Sequence, residues 1–263
     1  MFSVYKNTFR RARTTLIIWL VLLALWVLLE LSVFKGMAQS GGMNDLVAQV
    51  PEAIRSMFFT LDISTIGGYL NARVLTLILP LLTIMFGISL GNAAIAGEER
   101  HGQLDLLLSN PISRTEYYLG RLLAMLSMQT LIVLALLVYF HLFAGLQGIN
   151  LEEVRVLDAF TSVLLLGFTA STLAMLVGSI VPHPGLVLGV SGGVLMGSYL
   201  LNAMAPLMPD LKDLQPFSVF YHYNEYLPIR NGLDFTRAFT LAGISVVFVC
   251  AGLWRFNTRD LSK

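Results

Sequence analysis

The stretch Val74–Ala96 reads VLTLILPLLTIMFGISLGNAAIA, 23 residues without a charged side chain. A helix crosses the hydrocarbon core of a bilayer with about 20 apolar residues, so this stretch predicts a transmembrane helix. The rest of the chain has a similar character, since 56% of its 263 residues are hydrophobic and 13% are charged. Soluble domains carry about 25% charged residues, and this chain lacks the polar surface that they need. The composition therefore predicts a membrane protein.

Five other apolar stretches are long enough to span a bilayer, and together they predict an all-α polytopic membrane protein with six transmembrane helices. The predicted spans are residues 15–34, 74–96, 122–145, 160–181, 186–207 and 238–254. Val4–Arg13 mixes apolar and basic residues, which is typical of an interfacial helix or of plain charge anchoring before the first span. Without an internal repeat or a low-complexity linker, residues 1–263 are expected to form a single transmembrane domain. The one cysteine, Cys250, cannot form an intrachain disulfide.

The distribution of charge predicts the orientation. Six spans place both termini on one side, and this side, which also holds residues 97–121, carries ten Lys and Arg with five Asp and Glu. The other side carries seven Lys and Arg with eleven Asp and Glu. Because Lys and Arg concentrate on the cytoplasmic side, we expect a multi-pass protein of the cell membrane with cytoplasmic N- and C-termini. The net charge of +1 argues against nucleic-acid binding.

An alternative for the N-terminus is a cleaved signal peptide. Basic residues precede an apolar run, and Gly36-Met37-Ala38 supplies small residues at a suitable spacing. The run is longer than the roughly 7–15 residues that such segments use, which favours a retained first span.

Residues 97–121, GEERHGQLDLLLSNPISRTEYYLGR, join the second and third spans. Helices are usually joined by roughly 2–8 residues, so this much longer segment indicates a function of its own. A leucine cluster at helical spacing predicts a short amphipathic helix along the membrane surface. Its members are Leu104, Leu107 and Leu108. Pro111 ends this helix, and Ser113 with Glu116 has the spacing of a capping box that starts the next one.

The pattern Gly-Glu-Glu-x-x-Gly-x-Leu-x-Leu-Leu-Leu-x-x-Pro-Ile-Ser-Arg begins at Gly97, and Gly120 and Arg121 follow it. This pattern resembles the signature loop of the type-2 family of ATP-binding cassette (ABC) exporter permeases. The ending Arg255–Leu261 is similar to the short basic tail of the same family. The motif covers about a tenth of the chain, while the number of spans extends the resemblance to the whole layout.

The resemblance implies that residues 97–121 carry a cytoplasmic coupling helix that docks on an ATPase subunit. It assigns ATPase docking to Glu98, Glu99, Arg100, Gly102, Leu104, Leu107, Leu108, Pro111, Ser113, Arg114 and Glu116. The polar contacts are expected from Glu98, Glu99 and Arg100. The leucines are expected to face either a groove on the ATPase or the membrane.

A chain that hydrolyses ATP itself needs a glycine-rich phosphate loop that ends in Gly-Lys, and no Gly-Lys dipeptide occurs in this sequence. We therefore expect neither an enzyme activity nor a bound cofactor in this chain, with ATP and Mg²⁺ held by a partner. The resemblance implies two separate ATPase subunits and a second permease copy, or a homologous permease, as partners in the lipid bilayer. The four histidines are scattered, and the sequence contains no metal-binding motif.

Two sets of glycines at four-residue spacing predict close packing of helices. They are Gly185, Gly189, Gly193 and Gly197 in the fifth span, and Gly87 and Gly91 in the second. Such stripes pack either within one subunit or against a second permease copy, and the sequence leaves both open.

The stretch Leu207–Asp234, between the last two spans, is rich in aromatic residues and is broken by three prolines. This composition is typical of a segment that dips into the membrane interface instead of spanning the membrane. In the resembled family this position holds a re-entrant element that caps the translocation path from outside. On the same side, Val50–Phe59 predicts a short helix opened by Pro51.

Polar residues inside the predicted spans are further candidates, because an uncompensated polar group in lipid is costly. They are Glu30, Asn92, Gln129, His141 and Asn202. The side chains of Glu30 and His141, near the span ends, can reach the headgroups. For the deeper Asn92 and Gln129 we expect structural hydrogen bonds between helices.

The sequence thus predicts the permease subunit of an ATP-driven exporter for an apolar or amphipathic substrate. One alternative is an intramembrane serine protease of the rhomboid type, since Gly189-Val190-Ser191-Gly192 matches the Gly-x-Ser-Gly motif. Such an enzyme needs a histidine on a facing helix to activate Ser191, and glycine repeats produce the motif easily. Another alternative is a membrane anchor that binds an ATPase without moving cargo.

Overall fold

The computed structural model describes residues 1–40, 61–97, 113–181 and 183–259. Six helices in this part of the chain are long and apolar enough to cross a membrane. They are α1 (Phe2–Ser40), α2 (Ile66–Ala94), α3 (Arg114–Gln147), α4 (Val156–Ile180), α5 (Pro184–Met204) and α8 (Phe235–Thr258). A 3₁₀ segment (Pro209–Phe217) and two short helices, α6 (Val219–Asn224) and α7 (Pro228–Asn231), lie between α5 and α8. The number and order of the predicted spans are confirmed.

Several helix ends differ from the predicted span ends. Val4–Arg13 forms the first turns of α1 and is continuous with the first span, since neither Gly nor Pro interrupts residues 2–35. The second span starts earlier than predicted, at Ile66. The fifth ends earlier, at Met204. Ala205 still has helical dihedral angles and donates to the carbonyl of Leu201, but Pro206 has no N–H to continue the helix. The predicted helix Val50–Phe59 lies outside the described residues.

A π-helical segment of nine residues, Leu70–Ile78, lies within α2. Pro80 has no N–H, so it cannot donate to the carbonyl of Leu75, its acceptor in this wider register. The hydroxyl of Tyr223 donates to that carbonyl instead, with 2.9 Å between the two oxygens. π-Helical turns are rare and are frequently found at functional sites.

The centre of the bundle is α4, which packs against α2, α3, α5 and α8. It approaches α2 most closely at two glycines. A Cβ at Gly87 would lie 3.0 Å from the carbonyl oxygen of Gly167, and one at Gly91 would lie 2.7 Å from Cβ of Ala174. Because lipid tails are as apolar as side chains, such close van der Waals packing stabilises helix pairs in a membrane. Gly87 and Gly91 therefore pack inside the subunit.

The outer faces of α1 and α5 are apolar and exposed, as contact with lipid requires. Examples are Ile17, Ile18, Val21, Leu22 and Leu25 on α1, and Leu186, Leu188, Val190 and Val194 on α5.

The chain between α5 and α8 contains no element long enough to span a membrane among its described residues. Ser218 fixes its position, because the serine hydroxyl donates to the carbonyl of Ser198 at 2.7 Å and accepts the N–H of Phe220 at 3.1 Å. The short helix α6 packs on α4, α5 and α8. The non-spanning character agrees with the sequence, and the re-entrant arrangement stays a prediction.

The two ends of the bundle differ in what they hold. The start of α1 contacts α3 at Gly120, and the last turn of α8 contacts α3 at Tyr117. We call this end the termini end. The opposite end holds α6, α7 and the π-helical segment of α2.

Candidate coupling site at the termini end

The predicted docking segment, residues 97–121, is described at Gly97 and from Ser113 onward. Glu98, Glu99, Arg100, Gly102, Leu104, Leu107, Leu108 and Pro111 lie outside the described residues. Ser113 has an extended backbone, its hydroxyl accepts the N–H of Glu116, and the carboxylate of Glu116 accepts the N–H of Ser113, both at 3.1 Å. The predicted capping box is confirmed, and it pairs N–H groups that the start of a helix leaves unsatisfied. It gives α3 a fixed starting point within the docking segment.

Arg114 joins the start of α3 to the end of α8. Its Nη1 donates to the carbonyl oxygen of Arg259 at 2.6 Å and lies 3.3 Å from that of Asn257 and 3.5 Å from that of Phe256. Carbonyls at the end of a helix lack intrahelical partners and carry the negative end of the helix dipole. The guanidinium therefore caps α8. The amide of Asn257 adds a bond to the hydroxyl of Thr115 at 3.1 Å.

An aromatic cluster lies below these hydrogen bonds. Phe256 is fully buried, and its ring centroid lies 6.0 Å from that of Tyr117 and 5.8 Å from that of Tyr118. The hydroxyl of Tyr118 donates to the carbonyl of Val249, two turns before Phe256 on α8, at 3.4 Å. Aromatic pairs at such distances contribute about 0.5–1.5 kcal/mol beyond the burial of their area. Polar and apolar contacts thus both hold α8 against α3.

The same turn of α3 contacts the end of α2. The hydroxyl of Tyr117 donates to the carbonyl of Ala94 at 3.3 Å and accepts from Nε of Arg121 at 3.1 Å. The guanidinium carbon of Arg121 lies 5.2 Å from the Tyr117 ring centroid. Tyr117 therefore links α2, α3 and α8.

The helices α1 and α4 also reach this site. α1 crosses α3 at Gly120, where a Cβ would lie 3.0 Å from Cβ of Val4. At the end of α4, the carbonyl of Ser179 accepts from Nη1 of Arg259 at 3.2 Å. The ends of five helices therefore meet around the first turns of α3, and we call this contact region the junction.

Sequence reasoning found part of the junction and missed the rest. It assigned Arg114 to ATPase docking, whereas the structure places the Arg114 guanidinium on the carbonyls of α8. It gave no role to Tyr117, Tyr118 or Phe256. One signal in the sequence could have indicated the contact between α3 and α8. Both segments that resemble family motifs, 97–121 and 255–261, belong to the same predicted side of the membrane.

Comparison with protein families agrees with this architecture. A family model described as ABC-2 family transporter protein matches residues 2–261. The chain belongs to the ABC-2 family. It is a multi-pass membrane permease subunit of an ABC transporter, and permeases of this family work with ABC ATPase subunits. No curated protein sequence matches the chain.

In this ABC-2 subunit, Glu30 is not a side chain that reaches out to the headgroups. It is buried, and its Oε2 accepts from Nε of Arg73 at 2.8 Å and from the hydroxyl of Tyr69 at 2.9 Å. This ion pair joins α1 to the start of α2. His141 is exposed, with its ring Nδ1 2.9 Å from the carbonyl of Leu137 on its own helix.

The expectation of a structural hydrogen bond is wrong for Gln129 within the described part of the subunit, and for Asn92 it stays a prediction. Gln129 is fully buried, and neither amide atom hydrogen-bonds to a described residue; the same holds for Oδ1 of Asn92. The Gln129 amide lies against Gly167 of α4, in the space that a Cβ would take. The Gly167 carbonyl accepts instead from the hydroxyl of Ser171 at 2.8 Å.

The glycine stripe of α5 contacts nothing within the described residues of the subunit. At Gly185, Gly189, Gly193 and Gly197, no atom lies within 4 Å of the position that a Cβ would take. Packing within one subunit therefore does not account for this stripe. It forms part of the exposed face of α5, beside Val190 and Val194.

The geometry does not support catalysis by Ser191. Its hydroxyl is buried and hydrogen-bonds to no described residue, including the described histidines His141, His183 and His222. A serine nucleophile needs a base within hydrogen-bond distance. Ser191 is a small residue on the packed face of α5.

Proposed function

We propose that this chain is the permease subunit of an ATP-driven ABC exporter, and that two separate ATPase subunits dock on residues 97–121. The junction supports the proposal most strongly. Ser113 and Glu116 fix the start of α3 within the docking segment, and the first turns of α3 contact α1, α2 and α8. Arg259, directly after α8, contacts the end of α4. Movement of the docking segment is therefore passed to five helices through packed side chains.

The termini end faces the cytoplasm in this proposal. The charge asymmetry supports it, since the side with the termini carries ten Lys and Arg against seven on the other side. The ATPase subunits, with ATP and Mg²⁺, then lie on the side where the cell supplies ATP.

Docking uses Glu98, Glu99 and Arg100 as polar contacts, while the leucine cluster faces the ATPase groove or the membrane. The described part of the segment has a different role: Arg114 holds α8 against α3. Contact with the ATPase and transmission of its movement are thus assigned to different residues of one segment.

A second permease copy, or a homologous permease, packs against α5. The support is the exposed stripe Gly185–Gly197, because small residues let two helix backbones approach closely. Two such subunits enclose a path for an apolar or amphipathic substrate. An anchor that binds an ATPase without moving cargo has the same architecture, and a flux assay with reconstituted subunits separates the two.

The coupling assignment is tested by the double variant Glu98→Lys with Glu99→Lys. Charge reversal at close polar contacts costs up to several kcal/mol of binding free energy, so we expect a membrane-resident subunit that no longer retains its ATPase on purification or stimulates ATP hydrolysis. The matched control is Glu152→Lys with Glu153→Lys, an exposed acidic pair at the opposite end. Normal binding and coupling in the first variant, or equal uncoupling in the control, would contradict docking on residues 97–121.

A further inference from the structure

A cavity of about 130 Å³ lies at the opposite end of the bundle, far from the junction. Its walls come from the π-helical segment of α2, the end of α5, and α6 with the residues that follow it. Its polar and aromatic lining residues are Asn71, Thr76, Tyr199, Asn202, Phe220, Tyr223, Asn224 and Glu225. An engineered cavity of about 150 Å³ holds a benzene molecule, so this one has room for a group of about five or six heavy atoms.

Amide groups supply hydrogen-bond acceptors on one wall of the cavity. Asn71 is buried, and its Oδ1 accepts from Nδ2 of Asn224 at 3.2 Å. Asn224 itself also lines the cavity. Across the cavity, Oδ1 of Asn202 accepts from Nε2 of Gln215 at 3.2 Å. Polar side chains placed within a helix bundle of a membrane protein are costly and mark functional sites.

Aromatic rings form another wall. The rings of Tyr199 and Phe220 meet edge to face with centroids 5.2 Å apart, and Phe220 meets Tyr223 in the same way at 6.3 Å. All three residues line the cavity. Ring faces carry negative electrostatic potential and attract cations, including quaternary ammonium groups.

Glu225 is the only acidic or basic residue of the lining. It is exposed at the cavity edge, and it forms no ion pair with any residue in the described part of the chain. The cavity therefore carries a net negative charge without a basic neighbour in its wall, which favours a cation and disfavours an anion.

The backbone around the cavity is unusual at two places. Asn71 and Thr76 belong to the π-helical segment. Leu227, also in the lining, has φ 54° and ψ 65°, and it is the one non-glycine residue with positive φ among the described residues. Residues held in such conformations cluster at ligand sites, where the surrounding structure maintains them.

From these features we infer that this cavity binds the ammonium group of a small organic cation. The carboxylate of Glu225 supplies the charge, the rings of Tyr199 and Tyr223 supply the cation–π surface, and Asn224 supplies a neutral acceptor. The site is distinct from the junction, so it does not depend on the docking of an ATPase.

Tetramethylammonium, with five heavy atoms, is the probe that tests this inference. The full-length subunit is purified in a maltoside detergent, which carries no ammonium group, and the transfer of magnetisation from protein to probe is measured by saturation-transfer NMR during a titration. The wild type is expected to bind tetramethylammonium and to prefer it to neutral tert-butanol. Glu225→Gln is expected to weaken binding about fivefold to tenfold, as the loss of a partly exposed ion pair does.

Two further variants complete the experiment. Ala203→Phe fills the cavity that Ala203 lines and is expected to abolish saturable binding, while Glu153→Gln removes an exposed charge elsewhere at this end and is expected to have no effect. Size-exclusion profiles and melting temperatures check that each variant is folded. Equal binding of tert-butanol, unchanged affinity in Glu225→Gln, or binding that survives in a folded Ala203→Phe would each overturn the inference.

Discussion

Replacing Arg114 by alanine removes the guanidinium that caps α8. Its bond of 2.6 Å to the carbonyl of Arg259 is charge-assisted, and such bonds contribute about 1.5–3 kcal/mol. The contacts at 3.3 and 3.5 Å are too long to add much. Because Arg114 is partly exposed, water can solvate the freed carbonyls and offset part of the loss. We expect Arg114→Ala to lower the free energy of unfolding by about 1–2 kcal/mol.

The functional effect of Arg114→Ala should be larger than its effect on stability. If the ATPase binds earlier in the docking segment, the variant retains its ATPase on purification. Weaker contact between α3 and α8 should then reduce the stimulation of ATP hydrolysis and the transport of substrate. The assay is a pull-down of the ATPase combined with its hydrolysis rate in reconstituted vesicles.

Arg255→Ala is the matched control for Arg114→Ala. It removes the same charge from the same end, and the Arg255 side chain makes no hydrogen bond or ion pair within the described residues. It should therefore behave as the wild type. Loss of the ATPase from Arg114→Ala on purification would refute the division between docking and transmission, and so would normal hydrolysis and transport in that variant.

Three further predictions concern orientation, packing and the ion pair. A cysteine at Ser109 should be shielded from an impermeant thiol reagent in intact cells while one at Lys212 reacts, and labelling at Ser109 would reverse the topology. Gly91→Leu should cost more than about 3 kcal/mol and prevent folding, because its Cβ would overlap α4. Gly193→Leu should leave the subunit folded and reduce its pairing in crosslinking experiments, and normal pairing would show that the stripe faces lipid. Glu30→Gln should lower the melting temperature by removing an ion pair worth about 1–2 kcal/mol between one buried and one half-exposed side chain, and an unchanged melting temperature would contradict this.

The parts of the fold that sequence reasoning found depend on local signals. Apolar runs of about 20 residues identify spans because a helix is the structure that satisfies all backbone hydrogen bonds of one segment in lipid without a partner segment. The Ser113–Glu116 box is likewise contained within four residues, and its geometry agrees with the prediction. Such features can be predicted without knowing which helices are neighbours.

The features that were missed depend on which helices meet. Phe256 lies between two tyrosines only because the end of α8 crosses the start of α3, and no local pattern specifies that crossing. The π-helical segment depends in the same way on Tyr223. Its hydroxyl donates to the carbonyl of Leu75, to which Pro80 cannot donate. Gln129 faces a glycine instead of a polar partner, which is also a property of the neighbouring helix.

The two ends of the bundle suit different tasks for physical reasons. At the junction, buried rings and short hydrogen bonds hold five helix ends together, and close-packed contacts pass on a displacement because they have few alternative arrangements. At the opposite end, α2 contains a π-helical segment and the neighbouring cavity is lined by amides. Hydrogen bonds of this kind can exchange between protein, water and ligand at small cost. A close-packed junction at the termini end, combined with a polar region at the other, is the arrangement that the proposed permease needs to convert a push from its ATPase into a change of binding at the opposite end.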